Sequence, residues 1–88
     1  MVTNSVLVQN PTGLHARPAA QFVQAAMKFS SKIKVANGPR EVDAKSILGV
    51  LSLGAHKGVT VTVKAEGPDE EAAVASLVSL IESKFGEA

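Results

Sequence analysis

The stretch from Val59 to Glu66 alternates strictly between apolar and polar residues. Successive side chains of a strand point to opposite faces of a sheet, so this pattern predicts a strand with one buried face and one solvent-exposed face. A sheet of this kind needs a second layer on only one of its faces. The rest of the chain is therefore expected to supply further one-sided strands and the helices that cover them.

Three other segments predict strands because apolar residues alternate within them, namely residues 2–8, 32–36 and 40–43. Asn37-Gly38, between the second and third of these, is the strongest hairpin-turn signal in the chain. Pro39 has no N–H to donate to a ladder, so it is expected outside the paired region. These segments and residues 59–66 predict one four-stranded sheet.

Two long segments carry apolar residues at helical spacing. The first covers residues 18–29, and its predicted core face is Ala19, Phe22, Val23, Ala26 and Phe29. The second starts with Gly67-Pro68-Asp69, and its predicted core face is Ala73, Val74, Leu77, Leu80 and Ile81. Acidic residues near its start suit the positive end of the helix dipole. Residues 86–88 are expected to fray.

A short third helix is predicted over residues 47–53, with Ser46 as its N-cap and Gly54 just beyond its end. Its apolar positions outnumber what one face of a short helix buries. Either some of them form an exposed patch that binds a partner, or the helix is tucked in and fully buried. Ser46 itself is either a plain cap or a modification site.

The predicted order is β-α-β-β-α-β-α in a chain of 88 residues, which we interpret as a single domain spanning residues 1–88. The economical arrangement is an α+β open-faced sandwich, in which three helices pack on one side of a four-stranded antiparallel sheet. A ferredoxin-like split βαβ arrangement shares most of this order and is the alternative.

Composition excludes several classes of function. The chain has no cysteine, which rules out disulfides and thiolate metal sites and fits the reducing cytosol, so we expect a cytoplasmic protein. A net charge of +1 and the absence of Trp and Tyr argue against nucleic-acid binding. No apolar run reaches the roughly 20 residues that span a bilayer, so no membrane insertion is expected. We expect no cofactor and no metal.

The segment from Gly13 to Pro18 places His15 at the N-terminal end of the first predicted helix. A proline is accepted in the first helical turn, so His15 is expected at or next to the N-cap. Free backbone N–H groups and the helix dipole make that position an anion site, and imidazole is a nucleophile that can attack phosphorus. Arg17 can add a charge-assisted pair to a bound phosphoryl group. The residues alone leave open a solvated loop histidine.

The motif Gly13-Leu14-His15-Ala16-Arg17-Pro18 resembles the active-site signature of the HPr family. These proteins are the histidine-containing phosphocarriers of the bacterial phosphoenolpyruvate:sugar phosphotransferase system. A second block, residues 45–54, looks like the regulatory-serine segment of the family. The resemblance extends over essentially the whole chain and implies the open-faced sandwich.

The resemblance also implies roles for single residues. His15 matches the histidine that takes phosphate on Nδ1 from enzyme I and passes it to the IIA component of a sugar transporter, and Arg17 matches the arginine beside that phosphate. Ser46 matches a serine that a dedicated kinase/phosphorylase modifies in many bacteria. Residues at the positions of family partner contacts are Leu14, Ala20, Gln24, Ile47, Leu48 and Leu51. The expected protein is a monomeric carrier that is consumed and regenerated, not a stand-alone enzyme.

Three other functions remain to be compared with the carrier. One is the same chemistry in a nitrogen-related regulatory branch. Another is a regulatory binding module in which phosphorylated Ser46 recruits a transcription regulator and His15 is secondary. A related regulatory paralogue of the family lacks the histidine, so the presence of His15 disfavours the paralogue. A small-ligand or RNA-binding domain needs a basic, aromatic sheet face, which residues 60–66 do not provide. His56, the other histidine, is interpreted as a solvated loop residue.

Overall fold

Within residues 1–87, four strands and three α-helices follow one another in the predicted order. The computed structural model describes residues 1–87. The strands are β1 (Val2–Leu7), β2 (Lys32–Asn37), β3 (Arg40–Asp43) and β4 (Thr60–Glu66). The helices are α1 (Ala16–Ala26), α2 (Ile47–Ser52) and α3 (Glu70–Glu82), and a short 3-10 turn (Lys84–Gly86) follows α3.

The four strands form one sheet in the order β1-β4-β2-β3, and all neighbouring strands are antiparallel. The strictly alternating β4 lies between β1 and β2, where it pairs Val61 with Val6 and Val63 with Val35. All four of these valines are buried. Their shared face is the covered face of the sheet, as the alternation predicts.

The core lies between that face and the helices. Its largest fully buried side chains include Phe22 of α1 and Leu77 and Ile81 of α3. The opposite face of the sheet is polar: the Ser5 and Thr62 hydroxyls lie 3.0 Å apart, and Lys64 Nζ lies 2.7 Å from a carboxylate oxygen of Glu41. The fold is therefore the predicted open-faced sandwich. No helix within residues 1–87 is long and apolar enough to cross a bilayer.

Helix α1 begins two residues earlier and ends three residues earlier than predicted, since it spans Ala16–Ala26. The N–H groups of Lys28 and Phe29 bond carbonyls three residues back, which tightens and ends the helix. The next two N–H groups, those of Ser30 and Ser31, go to the carboxylate of Asp69. A tertiary contact with Asp69 therefore accompanies the early end of α1, although apolar spacing predicts that the helix continues to Phe29.

The β2–β3 turn is shifted by one residue from the predicted Asn37-Gly38. Asn37 pairs with Arg40, so the two turn residues are Gly38 and Pro39. Gly38 has a φ of +61°, and Pro39 fixes its own φ near about −65°, so only the first turn residue takes the left-handed conformation. Pro39 lies outside the paired region, as predicted.

The segment after α3 is ordered differently from the fraying predicted for residues 86–88. Gly86 belongs to the 3-10 turn, whose Phe85 side chain is buried, and the Glu87 carboxylate bonds residues near the start of the chain. The prediction is wrong for Gly86 and Glu87, because it considered only the end of the helix and not the buried Phe85. Ala88 lies outside the described residues.

Candidate functional site

His15 is the N-cap of α1, which agrees with the position expected from the sequence. Its backbone is extended, with φ −131° and ψ 163°, and its exposed side chain makes no capping hydrogen bond. The first intrahelical bond runs from Ala19 N to His15 O. Pro18 has no N–H, so the N–H groups of Ala16 and Arg17 are the ones without an intrahelical partner at this helix start, where an anion can accept from them.

Two neighbours of His15 complete this helix start. Arg17 is exposed, so its guanidinium can reach an anion held at the first turn. Ala16 has a φ of +50°, a left-handed conformation that costs a non-glycine residue about 1–2 kcal/mol. No sequence signal points to this conformation, because alanine has no preference for it.

The loop before His15 is fixed against the loop between α2 and β4. Leu14 N donates to Ala55 O at 2.8 Å, and Gly13 has a φ of +66°. A Cβ at Gly13 would lie 2.6 Å from Ala55 O and 2.6 Å from His56 Cα, which leaves no space for a side chain. Gly13 is therefore required both for its conformation and for the close approach of the two loops.

Leu14 is placed differently from the prediction that it contacts partners. Its side chain is fully buried and belongs to the hydrophobic core. The short bond to Ala55 draws this part of the loop inward, and the leucine fills the space under the start of α1. Leu14 thus supports the position of His15 from beneath and offers no surface for docking in this conformation.

Ser46 is the N-cap of α2, as predicted. Its backbone is extended, and its Oγ accepts a hydrogen bond from Gly49 N at 3.1 Å. The side chain is half-buried. The serine therefore has a structural role as a cap, and its position at a helix start also suits a phosphate group.

Helix α2 is not fully buried, so the second alternative for this helix is wrong, and partner binding at its exposed side chains stays a prediction. Val50 and the C-cap residue Leu53 are buried, whereas three apolar side chains remain in contact with solvent. We call these three the apolar patch: Ile47, Leu48 and Leu51, with 40%, 77% and 38% of their surface exposed. Exposed apolar groups clustered on a small domain mark a partner surface more often than single ones do.

Helix α1 packs against α2 and offers further candidate contacts. Ala20 is half-buried and Gln24 is exposed, and their i, i+4 spacing puts them on one face of α1. Met27 continues that face at i+7 and is 64% exposed. His56 is exposed, as expected for a loop residue, and its Nδ1 lies 3.1 Å from Gly54 O.

Two residues that fix the loop before His15, Asn10 and Glu87, were not predicted from the sequence. Asn10 is fully buried, and its Nδ2 donates to Gly13 O and to a Glu87 carboxylate oxygen, both at 2.9 Å. Hydrogen bonds, first from Asn10 and then from Thr12, hold the pKa of the Glu87 carboxyl below its ordinary value, with a further contribution from the charge of Arg17. An asparagine before a proline is typical of turns, so its pattern gives no signal of burial.

Comparison with known proteins agrees with this geometry. A family model described as "PTS HPr component phosphorylation site" matches residues 2–83. The chain belongs to the HPr family of phosphotransferase-system components. The match includes both the His15 loop and the α2 segment.

Individual relatives cover nearly the full chain. Phosphocarrier protein HPr of Cupriavidus necator is 45% identical over 87 residues, which are 99% of this chain and 98% of the relative. The HPr-like protein Crh of Halalkalibacterium halodurans is 45% identical over 84 residues, 96% of this chain and 100% of the relative.

The same similarity extends to solved structures. A crystal structure of HPr from Thermoanaerobacter tengcongensis has a TM-score of 0.98 at 56% identity and covers 100% of this chain and 99% of that chain. A crystal structure of an HPr dimer from the same organism has a TM-score of 0.80 and covers 99% of this chain and 100% of that chain. The monomer expected from the sequence therefore stays a prediction for this chain.

Proposed function

We propose that this protein carries phosphoryl groups in a phosphoenolpyruvate-dependent sugar phosphotransferase system, with His15 as the residue that bears the phosphate. The observation that supports this most is the exposed imidazole at the N-cap of α1, beside the first-turn N–H groups and Arg17. Membership of the HPr family supports the same role.

The proposed reaction needs little from the carrier beyond position and charge. An imidazole nitrogen of His15, Nδ1 by the family resemblance, attacks phosphorus. A P–N bond forms, and the bond from phosphorus to the group of enzyme I that carries the phosphoryl breaks. The same exchange then passes the group to a IIA component. The transition state is loose and carries its charge on phosphoryl oxygens, which helix-start N–H groups and Arg17 can stabilise. The protein is consumed and regenerated in each cycle, so we propose a carrier and not a stand-alone enzyme.

We propose that partners dock on the apolar patch together with Ala20 and Gln24 of α1. These groups lie on two helices that pack against each other, and the patch offers exposed apolar surface without a charged side chain of its own. A small surface that serves donors and acceptors in turn favours transient complexes.

Ser46 is the proposed site of regulatory phosphorylation. A phosphate at a helix start is compatible with the fold, and its negative charge would lie directly beside Ile47 of the apolar patch. Docking of a partner's apolar surface would then require desolvation of that charge, so binding is weakened. A kinase/phosphorylase and a transcription regulator are the partners that this proposal adds.

A regulatory role is the second candidate, because the Halalkalibacterium halodurans relative is an HPr-like Crh. In that role phosphorylated Ser46 would recruit a regulator, and His15 would be dispensable. The two candidates therefore differ in what they require of His15.

The experiment is incubation of the protein with phosphoenolpyruvate, magnesium and purified enzyme I, followed by intact mass and acid treatment. The carrier proposal expects an added phosphate that is lost in acid and absent in His15→Ala. His56→Ala is the matched control, since it removes an exposed loop histidine from the same end of the molecule, and it should still take up phosphate. Failure of the folded wild-type protein to be phosphorylated by an active enzyme I would contradict the carrier proposal and favour the regulatory one.

A further inference from the structure

The segment after α3 reaches back to the loop that precedes His15. The Glu87 carboxylate accepts from Asn10 Nδ2 at 2.9 Å and from Thr12 Oγ1 at 2.9 Å, with a longer contact of 3.4 Å to Thr12 N. These three donors belong to the first part of the loop 10–14. We call this set of bonds the Glu87 clamp.

Asn10 connects the Glu87 clamp to the backbone of Gly13, two residues before His15. Its side chain is fully buried, and its Nδ2 donates to Gly13 O as well as to Glu87. Its Oδ1 has no hydrogen-bond partner within residues 1–87, so the NH₂ group alone holds this buried amide. A buried amide that lost the Glu87 acceptor would be less satisfied and freer to move, and Gly13 O would move with it.

The segment that carries Glu87 is itself held in a strained conformation. Lys84 and Phe85 have φ values of +60° and +54°, and Gly86 follows with +77°. Each left-handed non-glycine residue costs about 1–2 kcal/mol, so such a run persists only where the surroundings compensate. The Phe85 side chain is buried in the core, and Glu87 N bonds Lys84 O at 2.8 Å. Together these contacts aim Glu87 at the loop.

We propose that Glu87 is a positioning residue for phosphoryl transfer at His15, acting through Asn10 and Thr12 on the backbone of loop 10–14. The inference rests on the proposed carrier function. It assigns to Glu87 no contact with the phosphoryl group: the carboxylate fixes the loop, the loop fixes Gly13 and Leu14, and these fix the start of α1. Phosphoryl transfer depends on position above all, and a displacement of about 1 Å can cost on the order of a hundredfold in rate.

The test compares Glu87→Ala, Glu87→Gln and Glu82→Ala as phosphoryl acceptors in rapid-quench experiments with phosphorylated enzyme I. The dependence on acceptor concentration gives kcat, the maximal rate of transfer to His15, separately from KM, the acceptor concentration at half that rate. Glu87→Ala removes the acceptor and should lower kcat about tenfold, with KM for enzyme I unchanged because the apolar patch is intact. Glu87→Gln keeps an acceptor oxygen for Asn10 and should recover most of the rate. Glu82→Ala removes an exposed carboxylate of α3 and should behave as wild type.

A loss of stability alone would not produce this pattern. Rates are measured well below the thermal midpoint of each variant, so a purely structural role predicts a lower midpoint and an unchanged kcat. If Glu87→Ala does not fold, Thr12→Val replaces it: this variant deletes one donor of the clamp, leaves Thr12 N in place and should lower kcat less than tenfold. In the folded variants, faster amide exchange at Gly13 should accompany the lower kcat.

The outcomes separate this inference from the proposed function. A wild-type protein that takes no phosphate contradicts the carrier function itself. A wild-type protein that is active, with Glu87→Ala as fast as wild type or Glu87→Gln as slow as Glu87→Ala, overturns the positioning role only.

Discussion

Gly13 and His56 lie in backbone contact: a Cβ built at Gly13 would stand 2.6 Å from His56 Cα. The glycine therefore sets how closely the loop before His15 approaches the loop between α2 and β4. The neighbouring bond from Leu14 N to Ala55 O, at 2.8 Å, depends on the same approach.

Gly13→Ala should destabilise the protein by more than about 2 kcal/mol, because it adds left-handed strain to a steric clash with backbone atoms. It should also slow phosphoryl uptake at His15, since the clash is relieved by moving the loop. Urea unfolding and transfer from enzyme I measure the two effects.

The matched control for Gly13→Ala is Gly38→Ala in the β2–β3 turn. Gly38 also has a positive φ, +61°, but a Cβ there would meet no atom within 4 Å among residues 1–87 other than its two chain neighbours. It therefore carries the strain without the clash. Equal destabilisation by the two substitutions would contradict a role for the close approach.

Ser46 should show opposite effects for two substitutions. Ser46→Ala removes the oxygen that accepts from Gly49 N, so the free energy of unfolding should fall by about 1 kcal/mol while affinity for enzyme I is kept. Ser46→Asp keeps a capping oxygen and should retain stability, but its charge beside the apolar patch should weaken docking. Calorimetric titration with enzyme I and urea unfolding measure both properties.

Ser76→Ala is the control for the cap, because this exposed serine lies inside α3. Alanine is the better helix former there, so no loss of stability is expected. If Ser46→Asp binds enzyme I as tightly as wild type, the proposed effect of phosphate on docking is wrong.

Leu48→Ser should weaken docking without affecting the fold. The Leu48 side chain is 77% exposed, so the free energy of unfolding should change by no more than about 0.5 kcal/mol. Loss of its apolar contact with a partner should raise KM for enzyme I about tenfold, equivalent to about 1.4 kcal/mol. Leu7→Ser is the matched control, since Leu7 is 42% exposed on the uncovered face of the sheet. A similar rise in KM for both variants would contradict docking at the apolar patch.

Much of the site could be predicted because its signals are local. The offsets of Gly13 and Pro18 around His15 predicted the N-cap, and Ser46 before an apolar run predicted the second cap. Capping depends on the φ/ψ preferences and hydrogen bonds of a few adjacent residues, which the sequence displays directly. The alternation in β4 likewise predicted a sheet with one covered face.

The features that escaped prediction are contacts between residues far apart in the chain. Leu14 is buried because its loop bonds Ala55, and α1 ends early because Asp69 takes the next N–H groups. Glu87 lies at the end of the described chain yet bonds Asn10. No local pattern encodes these pairs, since each depends on how the sheet and helices pack.

Asp69 should make stability depend on pH in the acid range. Hydrogen bonds from the Ser31 hydroxyl, Ser30 N and Ser31 N lower its pKa from 3.8 to about 2. Between these values the unfolded chain binds more protons, so this contribution is fully present above pH 3.8 and is lost as pH falls through about 2. Asp69→Asn should therefore have a lower free energy of unfolding than wild type at pH 7. In urea unfolding, this difference in free energy should narrow toward pH 2. Glu71→Gln, an exposed carboxylate of α3, should show a much smaller difference. A difference for Asp69→Asn that stays constant with pH would rule out the ionised carboxylate as the acceptor.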